Sequence, residues 1–316
     1  MDQVDQVDIS ALFSGGDTTS CDQILWEGLR RTGSVVVTGY PDADQIDRRA
    51  RLGLEIFDMP DAVLDPLTTR IQHPGNANIY RGLWRCTPER LLQNDFYDVG
   101  PEDPLPGPDL PGMDILTEQT PWPDSRPDWA AEVRAHYNLM NRIGQAMIVS
   151  IGRSAGFETE TIAARFRGAH STLRFLNYAA GAGKGRQENG AAVSAGAHID
   201  ESGLSLLWQG APGLQAQGQD GVWRDIPMLG NAISVHVGGV MTGLTGGAVP
   251  ATPHRVLASD TPRQSVGFFL EPALGTAVTP ANHKGEMTVR DTYAWQLLKT
   301  FSQRSHWEGV IPDPEG

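Results

Sequence analysis

The feature that most constrains this chain is a series of short apolar segments between Gly168 and Pro272, each stopped by glycine or proline. The segments "STLRFLNYAA", "LSLLWQG", "LQAQGQDGVWRDI", "AISVHVGG" and "QSVGFFLEP" recur at intervals of roughly ten residues. They are rich in β-branched and aromatic residues, and "GQDG" is a hairpin turn signal. Strands this short bury little surface alone, so they must share a core. The arrangement they predict is α+β with a mainly β core, a double-stranded β-helix (jelly-roll) barrel with flanking α-helices. The alternative is an ordinary sandwich without a site.

The flanking helices come mostly before this region. "CDQILWEGLRRTG" has helical spacing and ends at Gly33, and "SVVVTGY" reads as a strand. "DADQIDRRARLGLEIFDMP" opens on an aspartate and stops before Pro60, as a helix does. The strongest helix is "SRPDWAAEVRAHYNLMNRIGQAMIVSIGRSAG". Pro127 suits its first turn, and Trp129, Val133, Tyr137, Met140, Ile143, Met147 and Ile151 repeat at helical spacing. Residues 75–123 carry few periodic elements, and a last helix is expected in "TVRDTYAWQLLKTFSQRS". The predicted organisation is one domain over 1–316: a mixed, helical part over 1–165, the barrel over 166–275, and a C-terminal helix and tail over 276–316.

Charge excludes several classes of function. A formal net charge of −13 lacks the basic footprint that nucleic acid requires, and it gives no support for docking on anionic lipid. No apolar run approaches a membrane span, and "MDQVDQVDIS" is no signal peptide. The two cysteines, Cys21 and Cys86, form no framework. The expectation is a cytoplasmic protein acting on a small-molecule substrate, with no nucleic-acid or membrane partner.

Two polar pairs interrupt the apolar segments. His198 and Asp200, in "AGAHIDESG", are two residues apart, so a strand would turn both to one face. Taken alone, that triplet reads first as a turn carrying a polar pair. Arg263 and Ser265, in "TPRQSVGFFLEP", repeat the spacing, with His254 shortly before them. Two histidines and one carboxylate form a facial set suited to Fe(II), with coordination positions left open. Arginine with a neighbouring hydroxyl suits a carboxylate, which a guanidinium binds through parallel hydrogen bonds.

"AHIDESGLSLLWQGAPGLQAQGQDGVWRDIP", "GGVMTGLTGG" and "PHRVLASDTPRQSVGFFLEP", in that order, resemble the isopenicillin N synthase-like family of non-haem Fe(II)/2-oxoglutarate-dependent oxygenases. "NIYRGLW", the "PWPDSRPDW" helix start and "TLRFLNY" extend the resemblance over nearly the whole chain. "GGVMTGLTGGAV", with Gly239 where plant members carry Asp, is closest in flavour to bacterial deacetoxycephalosporin C synthase-like enzymes of antibiotic pathways.

The resemblance implies a jelly-roll dioxygenase that uses Fe(II), 2-oxoglutarate and O2. It implies His198, Asp200 and His254 as catalytic metal ligands, with Arg263, Ser265 and Tyr178 on the co-substrate. Leu176 stands where plant members often have Asn, so the resemblance leaves the second part of the Tyr178 co-substrate contact open. Arg174 falls where a relative has an arginine near substrate; a structural salt bridge is the alternative. The carboxylate of Asp200 favours hydroxylation, desaturation or ring formation over halogenation. An oxidase needing no 2-oxoglutarate, in which Arg263 and Ser265 hold the substrate's own carboxylate, and a silent ligand-binding barrel are the competing readings.

His236 alternates with valines and reads as a hydrogen-bonded packing histidine, not a ligand, with a liner of the barrel interior as the alternative. His73, His136, His170, His283 and His306 read as solvated or structural, and Trp84, Trp208 and Trp223 as core or pocket walls. The five glycines of 181–196 suggest a mobile flap. The substrate is not legible, because loops and not barrel motifs select it.

Overall fold

The structure is a computed structural model that describes residues 4–87, 94–168, 170–279, 284–303 and 310–315. His283 and His306 lie outside the described residues. Thirteen strands are present among the described residues: β1 (Asp5–Asp8), β2 (Ser34–Thr38), β3 (Gly82–Trp84), β4 (Asp95–Val99), β5 (Thr172–Tyr178), β6 (Gln187–Glu188), β7 (Ala191–His198), β8 (Leu204–Gln209), β9 (Leu214–Gln217), β10 (Trp223–Asp225), β11 (Ile233–Val237), β12 (His254–Leu257) and β13 (Arg263–Leu270). The helices are α1 (Thr19–Thr32), α2 (Ala43–Leu54), α3 (Asp61–Leu64), α4 (Met113–Leu116), α5 (Pro127–Ser154), α6 (Thr159–Phe166), α7 (Gly239–Leu244) and α8 (Tyr293–Ser302).

The strands form two sheets, ordered β1-β2-β11-β8-β13-β5-β4-β3 and β10-β9-β12-β7-β6. From β7 onward the chain crosses repeatedly between them: β8, β11 and β13 join the large sheet, while β9, β10 and β12 join the small one. That alternation makes the jelly roll, and the space between the sheets is a bore.

One face of the large sheet is apolar and covered by helices. Outward Leu206, Val235, Val266, Phe268 and Phe175 are fully buried, and α1, α2, α5 and α6 pack into the same core. Tyr137 of α5 meets Phe268 edge-on with centroids 5.2 Å apart. The seven α5 positions expected to repeat are all buried. Trp208 also faces outward, where its indole donates to Asp47 at 2.9 Å, so it belongs to the helical layer and not to a pocket wall. Trp84 is fully buried and stacks on Phe96.

The inner face follows from register. Arg263, Ser265, Gly267 and Phe269 lie opposite Tyr178, Leu176, Arg174 and Thr172 of β5, and Leu176 and Arg174 lie opposite Phe96 and Asp98 of β4. Directly opposed residues share a face, so all of these line the bore. A small cluster of Val36, Leu214, Ala216, Ile226 and Val256 fills part of the interior with apolar atoms.

Sequence reasoning missed β3 and β4 in the Pro/Gly-rich stretch. Both are short and complete the large sheet beside β5. The segment expected as a flap is tied down. Gly181 N–H donates to Ser259 O at 2.8 Å, Val193 N–H to Arg186 O at 3.0 Å and Ala197 N–H to the Glu188 carboxylate at 2.8 Å. Gly181, Gly183 and Gly190 take φ of 77°, 76° and 79°, so these glycines serve left-handed turns.

Candidate metal and co-substrate site

His198 ends β7 and His254 opens β12, and the two are directly paired across the small sheet. Asp200 follows on the loop to β8. The GGV stretch that caps and opens α7 holds this loop: Gly238 N–H donates to Gly203 O (3.0 Å), Gly239 N–H to Asp200 O (2.8 Å) and Val240 N–H to Ser202 O (3.2 Å). A Cβ on Gly238 would overlap the Ser202 carbonyl, so that position must be glycine. Gly239 has more room, its added Cβ meeting only Asp200 O at 3.6 Å.

The three side chains converge. His198 Nε2 is 3.5 Å from Asp200 Oδ1, and His254 Nε2 is 3.4 Å from Asp200 Oδ2. One ligand atom from each of the three lies within 4.8 Å of the other two. His198 Nδ1 sits 2.8 Å from Gly196 O, and His254 Nδ1 sits 3.1 Å from Thr252 O. A carbonyl only accepts, so each Nδ1 carries the proton and each Nε2 offers a lone pair to the same point. Ser205 Oγ donates to Asp200 Oδ2 at 2.5 Å and is itself 3.0 Å from Ser202 Oγ. Burial alone would raise the Asp200 carboxyl, but His254, His198 and Ser205 outweigh it and hold it well below the usual range. Burial lowers the pKa of His254 against the pull of Asp200. Two imidazoles, each with Nδ1 on a backbone carbonyl, and an ionised carboxylate, aimed at one point, are a donor set that fits Fe(II).

Farther along the bore, Arg263 is 3% exposed. Its Nε donates to Pro212 O at 3.3 Å and its Nη1 to Ser265 Oγ at 3.2 Å, with the Tyr178 ring centroid 5.7 Å away. It makes no ion pair with a described residue, and burial lowers its pKa. A buried guanidinium without a counter-charge is costly and suits an anion supplied from outside. Leu176, opposite Ser265, adds no polar contact, as expected.

The structure also brings in residues outside the metal and co-substrate motifs. Ser205 reaches Asp200. Arg174 is bound through Nε and Nη2 to Asp98 at 2.7 and 2.6 Å, the salt bridge weighed for it in the sequence. Burial works against its charge, and Asp98 more than restores it. His236 faces the bore, the alternative weighed for it, its ring centroid 5.2 Å from that of His254, and burial holds it neutral with a pKa lowered to about 3. Glu271, at the end of β13, accepts from Tyr293 (2.7 Å) and Thr172 (3.1 Å), and burial raises its pKa to about 7. For Ser205 and Glu271, period-two alternation was the only signal, and for Asp98 β4 was too short to display it. His136 and His170 are buried away from the ligands.

Residues 171–272 match the profile of the 2OG-Fe(II) oxygenase superfamily. The chain is 25% identical to isopenicillin N synthase of Streptomyces clavuligerus over 70% of each protein. It is 27% identical to gibberellin 20 oxidase 4 of Arabidopsis thaliana over 58% of this chain and 48% of that one. The chain spans about half the length of several curated relatives it matches. Among solved structures, a 2OG-Fe(II) oxygenase family protein from Caulobacter crescentus superposes with TM-score 0.73 at 23% identity, covering 94% of this chain and 99% of that one. A full-length Neurospora crassa protein in complex with alpha-KG gives 0.72 at 20% identity, covering 89% of each. These likenesses share the jelly-roll fold. The segment 171–272, which carries the metal-ligand set and the arginine, is a domain of the 2OG-Fe(II) oxygenase superfamily. The superfamily's cofactors are Fe(II), 2-oxoglutarate and O2. No described helix is long and apolar enough to cross a membrane.

Proposed function

We propose that the protein is an Fe(II)- and 2-oxoglutarate-dependent dioxygenase that hydroxylates or desaturates a small molecule. The observation that carries this reading is the opposition of two unmet charges in one bore. The Asp200 carboxylate sits between two imidazole lone pairs, and the Arg263 guanidinium has no ion-pair partner among the described residues. A divalent cation answers the first, and a dicarboxylate long enough to span both answers the second.

In this reading His198, Asp200 and His254 hold the metal. Their Nδ1 protons, given to Gly196 O and Thr252 O, fix both rings, and Ser205 holds the carboxylate. Arg263 and Ser265 bind the far carboxylate of 2-oxoglutarate, with Tyr178 closing that side. When bound, Fe(II) would supply the activation of O2 that oxidises a substrate C–H bond while 2-oxoglutarate is converted to succinate and CO2. Phe96 and Phe269 line the bore nearby and exclude water from it. Arg174 contacts substrate. The whole chain acts as one oxygenase domain, with 166–275 as its catalytic core.

Two finer parts belong to the same reading. A place in bacterial secondary metabolism of the antibiotic type rests on the wording of "GGVMTGLTGGAV" and on the likeness to the Streptomyces protein. A cytoplasmic location, with neither nucleic-acid nor membrane partners, rests on the net charge of −13 and on two free cysteines. That same likeness favours one second reading, an oxidase needing no 2-oxoglutarate. The test is succinate formation against O2 uptake in purified protein with Fe(II) and a substrate panel. One succinate per O2 supports the dioxygenase; O2 consumed without 2-oxoglutarate supports the oxidase; neither, over a broad panel, sinks both.

A further inference from the structure

The inner faces of β4 and β5 carry a pair whose arrangement goes beyond a general contact with substrate. Asp98 and Arg174 stand directly opposite each other. Both carboxylate oxygens of Asp98 are taken by Nε and Nη2 of Arg174, and only 1% of the Asp98 side chain is accessible. Nη1 has no protein partner among the described residues. Arg174 lies deep in the molecule and interacts electrostatically with Asp200, yet 30% of its side chain is accessible. That accessible part therefore opens on the bore. The guanidinium lies against the Phe96 ring at 4.3 Å and near Phe269 at 5.6 Å.

We propose that Asp98 is a specificity-determining residue. By occupying one edge of the Arg174 fork and cancelling its charge, it makes the open edge a subsite for a neutral oxygen acceptor of the substrate, such as an amide, lactam, ketone or ester carbonyl, and not for a carboxylate.

The physical argument is one of charge in a poorly solvated space. The fork keeps donors at Nη1 after Asp98 is bound, and a carbonyl oxygen takes them without adding charge. A carboxylate at the same edge takes the same donors but places a second anion beside a buried one. Like charges at that separation, away from water, disfavour each other strongly. A further buried arginine, Arg81, gives no relief: it donates to Thr172 Oγ1, which donates onward to Glu271. The flanking rings suit a planar group such as an amide.

The inference rests on the oxygenase reading only in taking this bore for the substrate site. The probes are benzamide and benzoate, which share a shape and differ in charge. Each is titrated by calorimetry into anaerobic protein loaded with Fe(II) and 2-oxoglutarate. The expected result is tighter binding of benzamide than of benzoate by the wild type. Asp98→Asn is expected to bind benzoate at least about tenfold better than the wild type, and Arg174→Met in that background to remove the gain. A folded Asp98→Asn protein with no gain for benzoate overturns the proposal. So does a wild type that binds benzoate as well as benzamide, a comparison that stands even where the variant does not fold. Failure of the wild type to bind 2-oxoglutarate counts against the oxygenase reading instead, and the same titrations then proceed on the Fe(II) protein.

Discussion

The two ends of the bore solve the same problem in opposite ways. At the His198–Asp200–His254 end, the other polar atoms of the ligands are already engaged: both Nδ1 protons point at backbone carbonyls, and Asp200 accepts from Ser205. What faces inward is a pair of ring lone pairs and one negative charge. At the Arg263 end the side chain has two weak contacts, at 3.2 and 3.3 Å, and a buried positive charge. The first end is preorganised, its geometry set by backbone carbonyls on either side of the ligands. The second is electrostatically unfinished and gains most from its occupant. The difference separates what each end should bind, how strongly it depends on single residues, and how it should fail.

The largest expected effect breaks the metal end alone. Asp200→Ala or His254→Ala should abolish turnover and lower Fe(II) affinity by more than about a hundredfold, a larger loss than follows from changing a residue that only supports a ligand. The circular dichroism spectrum should stay that of the wild type, because neither side chain belongs to the apolar core. Full turnover in His254→Ala would remove the assignment.

Arg263→Ala tests the other end. It should weaken 2-oxoglutarate binding by about 2–4 kcal/mol, the range for deleting one partner of a buried charged contact, while Fe(II) binding measured without co-substrate stays unchanged. If 2-oxoglutarate affinity does not move, Arg263 holds something else, and the oxidase reading gains.

A smaller change sharpens the contrast. Ser205→Ala removes the hydrogen bond to Asp200 and should cost about tenfold in metal affinity, read by competition with a chelator. Co-substrate affinity for the metal-loaded protein should change far less. Equal losses in both would show that the two ends are coupled, and the contrast between them would fail.

An effect on stability, not on binding, belongs to neither end. Burial raises Glu271 from 4.5 to about 7, so the folded protein holds a proton there that the unfolded chain releases earlier. A raised pKa contributes stability that is fully present below the unfolded value and is lost as pH rises through the folded one. Stability should therefore fall by at most about 3 kcal/mol between roughly pH 4.5 and 7 from this group. Glu271→Gln should flatten that part of the profile in thermal melts. An unchanged slope would show that Glu271 is ionised throughout.

Much of this was legible in residue order, for a physical reason. Period-two alternation is a local property, so "HID" and "RQS" each declared a shared face without knowledge of the partner strand. The helical repeat from Trp129 to Ile151 likewise needs only its own spacing, and its buried face agrees. Glycines were harder. Those at 181, 183 and 190 read as flexibility, whereas they serve left-handed turns in a segment bonded to β7 and to the turn after β12. A glycine count does not distinguish freedom from a required positive φ.

Residue order determined the kinds of donor and their local faces: two histidines and a carboxylate, then an arginine and a serine. Tertiary structure alone decided which charges meet. The pairing of β12 with β7 sets His254 against His198, and the pairing of β4 with β5 sets Asp98 against Arg174, 76 residues away. Register between distant strands is a property of the whole sheet, fixed when outward Phe268, Val266 and Phe175 are buried together under the helices. It leaves no local mark in either strand. That is why the candidate ligand set could be read in advance, while Asp98 as the partner of Arg174 could not.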